Sequence, residues 1–232
     1  MSVLSRERLL GRHDESLTLS RRLVFRAMAA LALIHVVLAA INLSPLIDRY
    51  TIARLFDVNQ ENTVAVWLSS GALFAVAVVA LVSAAVEPRT GVRRGWIVIA
   101  AIFGVLSLDE TASLHEMAGE LGSRLLEVPW LPSLYMWVIV VTPFAAIGAV
   151  WMIRWFGKTL GWRTPAGRMA ILGIALWMTV PLFEAVDPTL GGPRLLIVVE
   201  ESIEASGEIL LLWAVLRHVG DLGLTITRRP RS

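Results

Sequence analysis

The chain has 232 residues, 56% of them hydrophobic and only 17% charged, with a mean hydropathy of +0.68. Soluble domains are about 45–50% apolar and about a quarter charged, so this is the composition of a membrane protein. With no cysteine, disulfides, thiolate metal ligands and cysteine nucleophiles are excluded. An isoelectric point near 9.6 would suit nucleic acid, but the placement of the arginines argues for a membrane and against that partner.

Residues 1–20 are polar and lack the apolar core of a signal peptide. They are expected to form a cytoplasmic arm, ahead of a transmembrane domain over 21–218 and a basic cytoplasmic tail over 219–232. Apolar runs of about 20 residues cross a bilayer, and they follow along the chain at 23–43, 64–86, 96–108 with its continuation, 134–156, 169–186 and 195–216. The last is apolar apart from its acidic residues. Turn formers separate them: Pro45, the Glu87-Pro88 step, the stretch 157–165 and Gly191-Gly192-Pro193. Trp67, Trp96, Trp130 and Trp155 lie near expected ends, where interfacial tryptophans belong.

Cations set the orientation. Of the 21 lysines and arginines, all but Arg49, Arg54, Arg124 and Arg194 fall on one side of this threading. The expected fold is therefore an all-α integral membrane bundle of six transmembrane helices with both termini in the cytoplasm. Its expected location is the bacterial cytoplasmic membrane, as a multi-pass protein.

The informative residues are acidic: Asp109, Glu110, Glu116 and Glu120 with His115, then Glu200, Glu201, Glu204 and Glu208. Arg217 marks the inner end of the sixth span, and residues 207–216 cover only about 15 Å at 1.5 Å per residue. A hydrocarbon core of about 30 Å is not crossed unless the glutamates lie inside it. The same rise puts Asp109, Glu204 and His35 about 20 Å from the inner ends of their helices, and Glu201 and Glu184 about 24 Å. At about 100° per residue, Asp109, Ser113, Glu116 and Glu120 share one face of the third helix, and Glu201, Glu204 and Glu208 one face of the sixth. The two helices are expected to be neighbours, with Asp109 and Glu204 directed at a common interior space. Pro181 removes an amide donor and kinks the fifth helix, opening space for Glu184.

Charges at such depth are expensive and face a bundle interior or cavity. A cation among the carboxylates relieves their repulsion, and oxygen and imidazole donors without sulfur suit a divalent Mn, Fe, Zn or Ca ion. The expected ligands are Asp109, Glu110, Glu201 and Glu204, with His35, Glu184 and Glu208 as further ligands and Glu200 and His115 in the wider set. Glu116 is the candidate general base towards metal-bound water, acting on a lipid or a small molecule arriving from outside. Two other readings stand beside this one: a cation or proton-coupled transporter, and a structural or partner-binding subunit in which protonated carboxyls join helices. Oligomeric state is not legible. Gly-x-Ser-x-Gly, His-Glu-x-x-His, phosphate-loop and Gly-x-Gly-x-x-Gly motifs are absent. Two of the four histidines, His13 and His218, fall on the inner side, which argues against paired haem ligation.

Leu108-Asp109-Glu110 followed by His115-Glu116, with a later Glu200-Glu201-x-x-Glu204, resembles an uncharacterised family of bacterial polytopic membrane proteins. The resemblance covers the third and sixth helices and the general layout. It implies that the two motifs form one unit, and it carries no activity.

Overall fold

The computed structural model describes residues 16–18, 20–45, 47, 50–60, 62–126, 136–222 and 225–227. The arm up to Glu15, Arg49, Trp130, the expected start of the fourth span at Leu134 and the last residues of the tail, 228–232, lie outside the described residues. The chain is helical: α1 (Arg21–Asn42), α2 (Val64–Val86), α3 (Thr90–Ala112), α4 (Leu114–Leu125), α5 (Trp137–Phe156), α6 (Pro165–Trp177), α7 (Val180–Leu190) and α8 (Arg194–Asp221). A 3-10 turn at Thr51–Phe56 follows α1, and a π turn at Gly157–Gly161 follows α5. Short strands β1 (Ser16–Thr18) and β2 (Thr225–Thr227) pair antiparallel.

Local chemistry explains the boundaries. Thr63 accepts from the Val66 amide at the start of α2, and Thr164 accepts from Gly167 ahead of Pro165 at the start of α6. Such hydroxyls satisfy amides that have no partner within the helix, and proline is preset for a first turn. Gly191 and Gly192 take positive φ at 75° and 62° after α7, the left-handed conformation that glycine adopts freely.

Among the described residues, five helical segments are long and apolar enough to cross a membrane: Arg21–Asn42, Val64–Val86, Thr90–Ala112, Trp137–Gly161 and Pro165–Val186. The acidic residues of α8 keep it outside that group, although its 28 residues extend about 42 Å. Large apolar side chains such as Phe144 (73% exposed), Ile147 (70%) and Leu33 (64%) cover the outside of the bundle, as a lipid-facing surface requires. The buried face of α2 is built largely from small residues. Ala72, Val76, Ala77, Ala80 and Ala84 of α2 are buried, and α2 packs closely along α3, as small-residue helix faces allow. Between these helices Ser70 donates to the Ser107 carbonyl (2.8 Å) and Ser107 to the Ser70 carbonyl (2.9 Å).

Two expectations about the helices are corrected. The third helix is not continuous through its acidic string: Ser113 takes φ 48°, ψ 44° and separates α3 from α4. The face shared by Asp109, Ser113, Glu116 and Glu120 is therefore broken. Nor do α3 and α8 pack extensively on each other. Instead α8 lies against α1, α2, α6 and α7, α3 lies against α2 and α4, and α2 is the helix common to both. The fifth span opens as expected of Pro181: α6 ends at Trp177, Met178 and Thr179 form a turn, and α7 resumes at Val180.

Buried Asn42 closes the α1 end of the bundle. Its amide donates to the Leu38 carbonyl (2.9 Å) and the Phe56 carbonyl (2.7 Å). Its oxygen accepts from the Val58 amide and from Arg194, which also reaches Asp57. The 3-10 turn and the start of α8 are thereby tied to α1. At the opposite end Arg21 donates twice to Asp221, so the start of α1 and the end of α8 lie side by side.

Candidate functional site

The register of α3 decides which of its acidic residues enters the interior: Trp96 and Phe103 are buried, and Glu110 follows at the same step of seven. A left-handed conformation like that of Ser113 costs a non-glycine residue about 1–2 kcal/mol, and Asp109 offsets that here. The Asp109 carboxylate accepts from the His115 amide (2.7 Å) and pairs with His115 Nδ1 (3.0 Å), while its carbonyl accepts from the Ser113 amide. One residue satisfies the end of α3 and the start of α4. The His115 ring is further held edge-on against Trp137 at 5.1 Å.

With Asp109 engaged at the helix break, its neighbour Glu110 meets α8. Glu204 and Glu208 lie one turn apart on α8, and one carboxylate oxygen from each of Glu110, Glu204 and Glu208 falls within 4.8 Å of the other two. Ser69 of α2 donates to Glu208 Oε1, and Trp177 Nε1 at the end of α6 donates to Glu204 Oε1 (3.1 Å). Glu208 is 1% exposed, and its Oε2 has no hydrogen-bond partner among the described residues. A cleft adjoins the group, lined by His35 of α1, Ser69 of α2, and Glu201 and Glu204 of α8.

Glycines bring these parts together. A Cβ on Gly173 would lie 2.7 Å from the Gly207 carbonyl oxygen, and one on Gly207 would lie 2.9 Å from the Gly173 carbonyl oxygen. The backbones of α6 and α8 thus touch. That contact sets Trp177, one turn beyond Gly173, against Glu204, one turn before Gly207.

Of the expected site residues, the structure groups Glu110, Glu204 and Glu208, with Glu201 and His35 along the adjoining cleft. Asp109 and His115 form a separate pair at the α3–α4 break. Glu116, half-buried on α4, and Glu184 on α7 lie near enough to His115 to bear on its charge. Glu200 is buried but outside the three-carboxylate group. Asp109 is not one of the three converging carboxylates, since the register of α3 gives that position to Glu110, but it lies near enough to Glu204 to bear on its charge. Ser69 and Trp177 join the site although no sequence motif marks them. The signal for Trp177 was its position: it sits near the middle of the Pro165–Val186 span, away from the interface where tryptophan usually lies.

Burial alone would lower the His115 pKa. The Asp109 hydrogen bond and charge outweigh burial, with Glu116 and Glu184 adding to them, and hold it above the ordinary 6.5. A raised folded-state pKa means that this contribution to stability is complete below the unfolded value and is lost as pH rises through the folded one. Asp109→Asn is expected to lower the His115 pKa, because burial then meets weaker opposition. NMR titration of the ring reads this directly, and an unchanged value would show that Asp109 is not the cause.

Residues 27–219 match the family described as Domain of unknown function (DUF8692). The chain belongs to that family. The matched region begins within α1 and ends within α8, so it takes in all or part of each described helix and the residues of the carboxylate site. No curated protein and no solved structure matches the chain. The family description carries no activity.

Three carboxylates so placed make a hard, oxygen-only donor set. At an effective dielectric of about 20, two charges separated by about 5 Å repel by about 3 kcal/mol. Fully ionised, the group would be strongly unstable without protons or a cation among its oxygens.

Proposed function

We propose that this is a membrane-embedded cation- or metal-binding protein whose site is centred on Glu110, Glu204 and Glu208, in the outer half of the bilayer. One observation carries the reading: the three carboxylates converge within 4.8 Å, while the unpartnered Oε2 of Glu208 is fully buried. Structural carboxyls joining helices through protons would be expected to satisfy that atom. Glu201 and His35, on the adjoining cleft, are the nearest further donors. A divalent Mn, Fe, Zn or Ca ion suits this set.

Six crossings with both termini in the cytoplasm is the threading that best accommodates the site. The Arg21–Asp221 ion pair and the β1–β2 pairing favour an even number of crossings, and α8 is long enough to supply the sixth. Arg93, Arg94, Arg154, Lys158 and Arg168 then fall on the inner side, in what would be a bacterial cytoplasmic membrane. A cysteine placed at Ser123 is expected to react with an impermeant maleimide from outside intact cells. Labelling only after permeabilisation would refute the threading.

The one-sided character of the site favours an enzyme or sensor over a transporter. On the inner side of the carboxylates, α8 buries Ile209, Leu211, Leu212, Ala214 and Val215. Phe103 stacks on Trp177 at 6.3 Å, adding to an apolar floor. In an enzyme, the Asp109–His115 pair has the geometry of an oriented base, with Glu116 beside it; the substrate would be a lipid or a small molecule from the outer side. The deciding experiment is elemental analysis of the purified protein together with thermal unfolding in detergent, first with chelator and then with each divalent ion. Bound metal and an ion-specific rise in Tm are expected. If no metal is bound and no ion shifts Tm, the reading fails.

A further inference from the structure

At the end of the bundle where Arg21 meets Asp221, a second cleft lies between α1 and α8, away from the carboxylates. It is lined by Arg21, Val24 and Phe25 of α1 and by Trp213, Leu216 and Arg217 of α8. The wall has two chemistries. Phe25 and Trp213 meet ring to ring at 5.8 Å and, with Val24 and Leu216, form an apolar surface. Arg21 and Arg217 bring positive charge to the same cleft. Arg21 donates to Asp221 through Nε and Nη2, which holds its side chain in place. Arg217 differs: its Nε is buried and has no hydrogen-bond partner among the described residues. A buried guanidinium N–H without an acceptor calls for an anionic one.

We propose that this cleft binds the phosphodiester headgroup of an anionic phospholipid in the inner leaflet. Arg217 and Arg21 hold the phosphate, and the upper acyl chain lies along Val24, Phe25, Trp213 and Leu216. Both chemistries are needed to account for the cleft: a soluble phosphate has no use for the apolar wall, and an uncharged lipid has no use for the two arginines. Basic pockets between membrane helices on the cytoplasmic side are suited to such headgroups. Arg21 offsets Asp221, so the net positive charge of the cleft is that of Arg217.

The test uses the full-length protein in detergent with chelator present, so the carboxylate site and its ions play no part. Dioleoylphosphatidylglycerol, dioleoylphosphatidylcholine and inorganic phosphate are compared by native mass spectrometry and by Tm. Phosphatidylglycerol is expected to be retained and to raise Tm, phosphatidylcholine to do so much less, and inorganic phosphate not at all. Arg217→Gln and Arg21→Gln are each expected to cut the preference for phosphatidylglycerol, by about fivefold per arginine. Equal effects of the two lipids would overturn the proposal, and so would a Tm shift reproduced by inorganic phosphate alone. Should Arg217→Gln fail to fold, Arg21→Gln carries the test, and an unchanged lipid preference in it overturns the proposal.

Discussion

Glu208→Gln is expected to abolish the stabilisation that a divalent ion gives the protein, while leaving the chelator-treated protein as stable as wild type or more so. Glu208 is the side chain for this test because Ser69 engages one of its oxygens and the other is buried without a partner. Glutamine preserves the volume and an acceptor for Ser69. It also places an amide where the unpartnered oxygen was, within reach of neighbouring carboxylates. In the ion-free state the change removes a buried charge or an unsatisfied atom, so stability holds or rises. In the ion-bound state it removes a ligand. An ion at about 100 times its Kd stabilises by about 2.7 kcal/mol, and that increment should vanish. A structural, proton-bonded cluster predicts otherwise: about 1–2 kcal/mol lost with or without metal. Thermal unfolding of both proteins with chelator and with each ion distinguishes the two. Glu204→Gln is less informative, since Glu204 also accepts from Trp177 and loss of that contact would enter the result.

The second large effect lies at the α6–α8 crossing. Gly207→Val is expected to destabilise the bundle by about 2 kcal/mol or more, at the upper end of ordinary overpacking. The reason is what its Cβ meets: the Gly173 carbonyl oxygen at 2.9 Å and the Trp177 amide nitrogen at 3.5 Å. Neither can move as a flexible side chain would, so the helices must separate. Separation draws Trp177 away from Glu204, and the ion-dependent rise in Tm should shrink along with stability. Gly104→Ala is the control, because a Cβ there meets nothing within 4 Å. In a helix interior that change is expected to be neutral or to stabilise by about 0.5–1 kcal/mol. Equilibrium unfolding in mixed detergent micelles measures both variants, and equal stabilities for the two would refute the close-crossing account.

Hydropathy and breaker residues carried the spans. Apolar runs long enough for a bilayer, punctuated by Pro88, Pro165 and Gly191-Gly192, are visible in one dimension because lipid demands apolar length and the backbone demands turns at particular residues. The opening of the fifth span at Pro181 was legible for the same reason, since a missing amide is a local property. That acidic residues of α3 and α8 belong together was legible too, from helical rise and the cost of burying charge.

Tertiary structure decided which of them meet. Asp109 and Glu110 are adjacent, and helical periodicity alone favoured Asp109. The buried face of α3, which passes through Trp96 and Phe103, turns Glu110 inward instead, and Asp109 is taken up by the His115 amide and ring. No rule of composition foretells a serine with φ 48°, since the strain is offset by contacts six residues apart. Likewise α3 and α8 reach a common point across α2 rather than by packing on each other, and Ser69 enters the site from that intervening helix. Trp177 joins because two glycines let the α6 and α8 backbones touch. Which residues lie inside a bilayer follows from solvation, and each residue reports its own. Which carboxylates converge depends on helix crossings and breaks, and those are properties of pairs of segments distant in the chain.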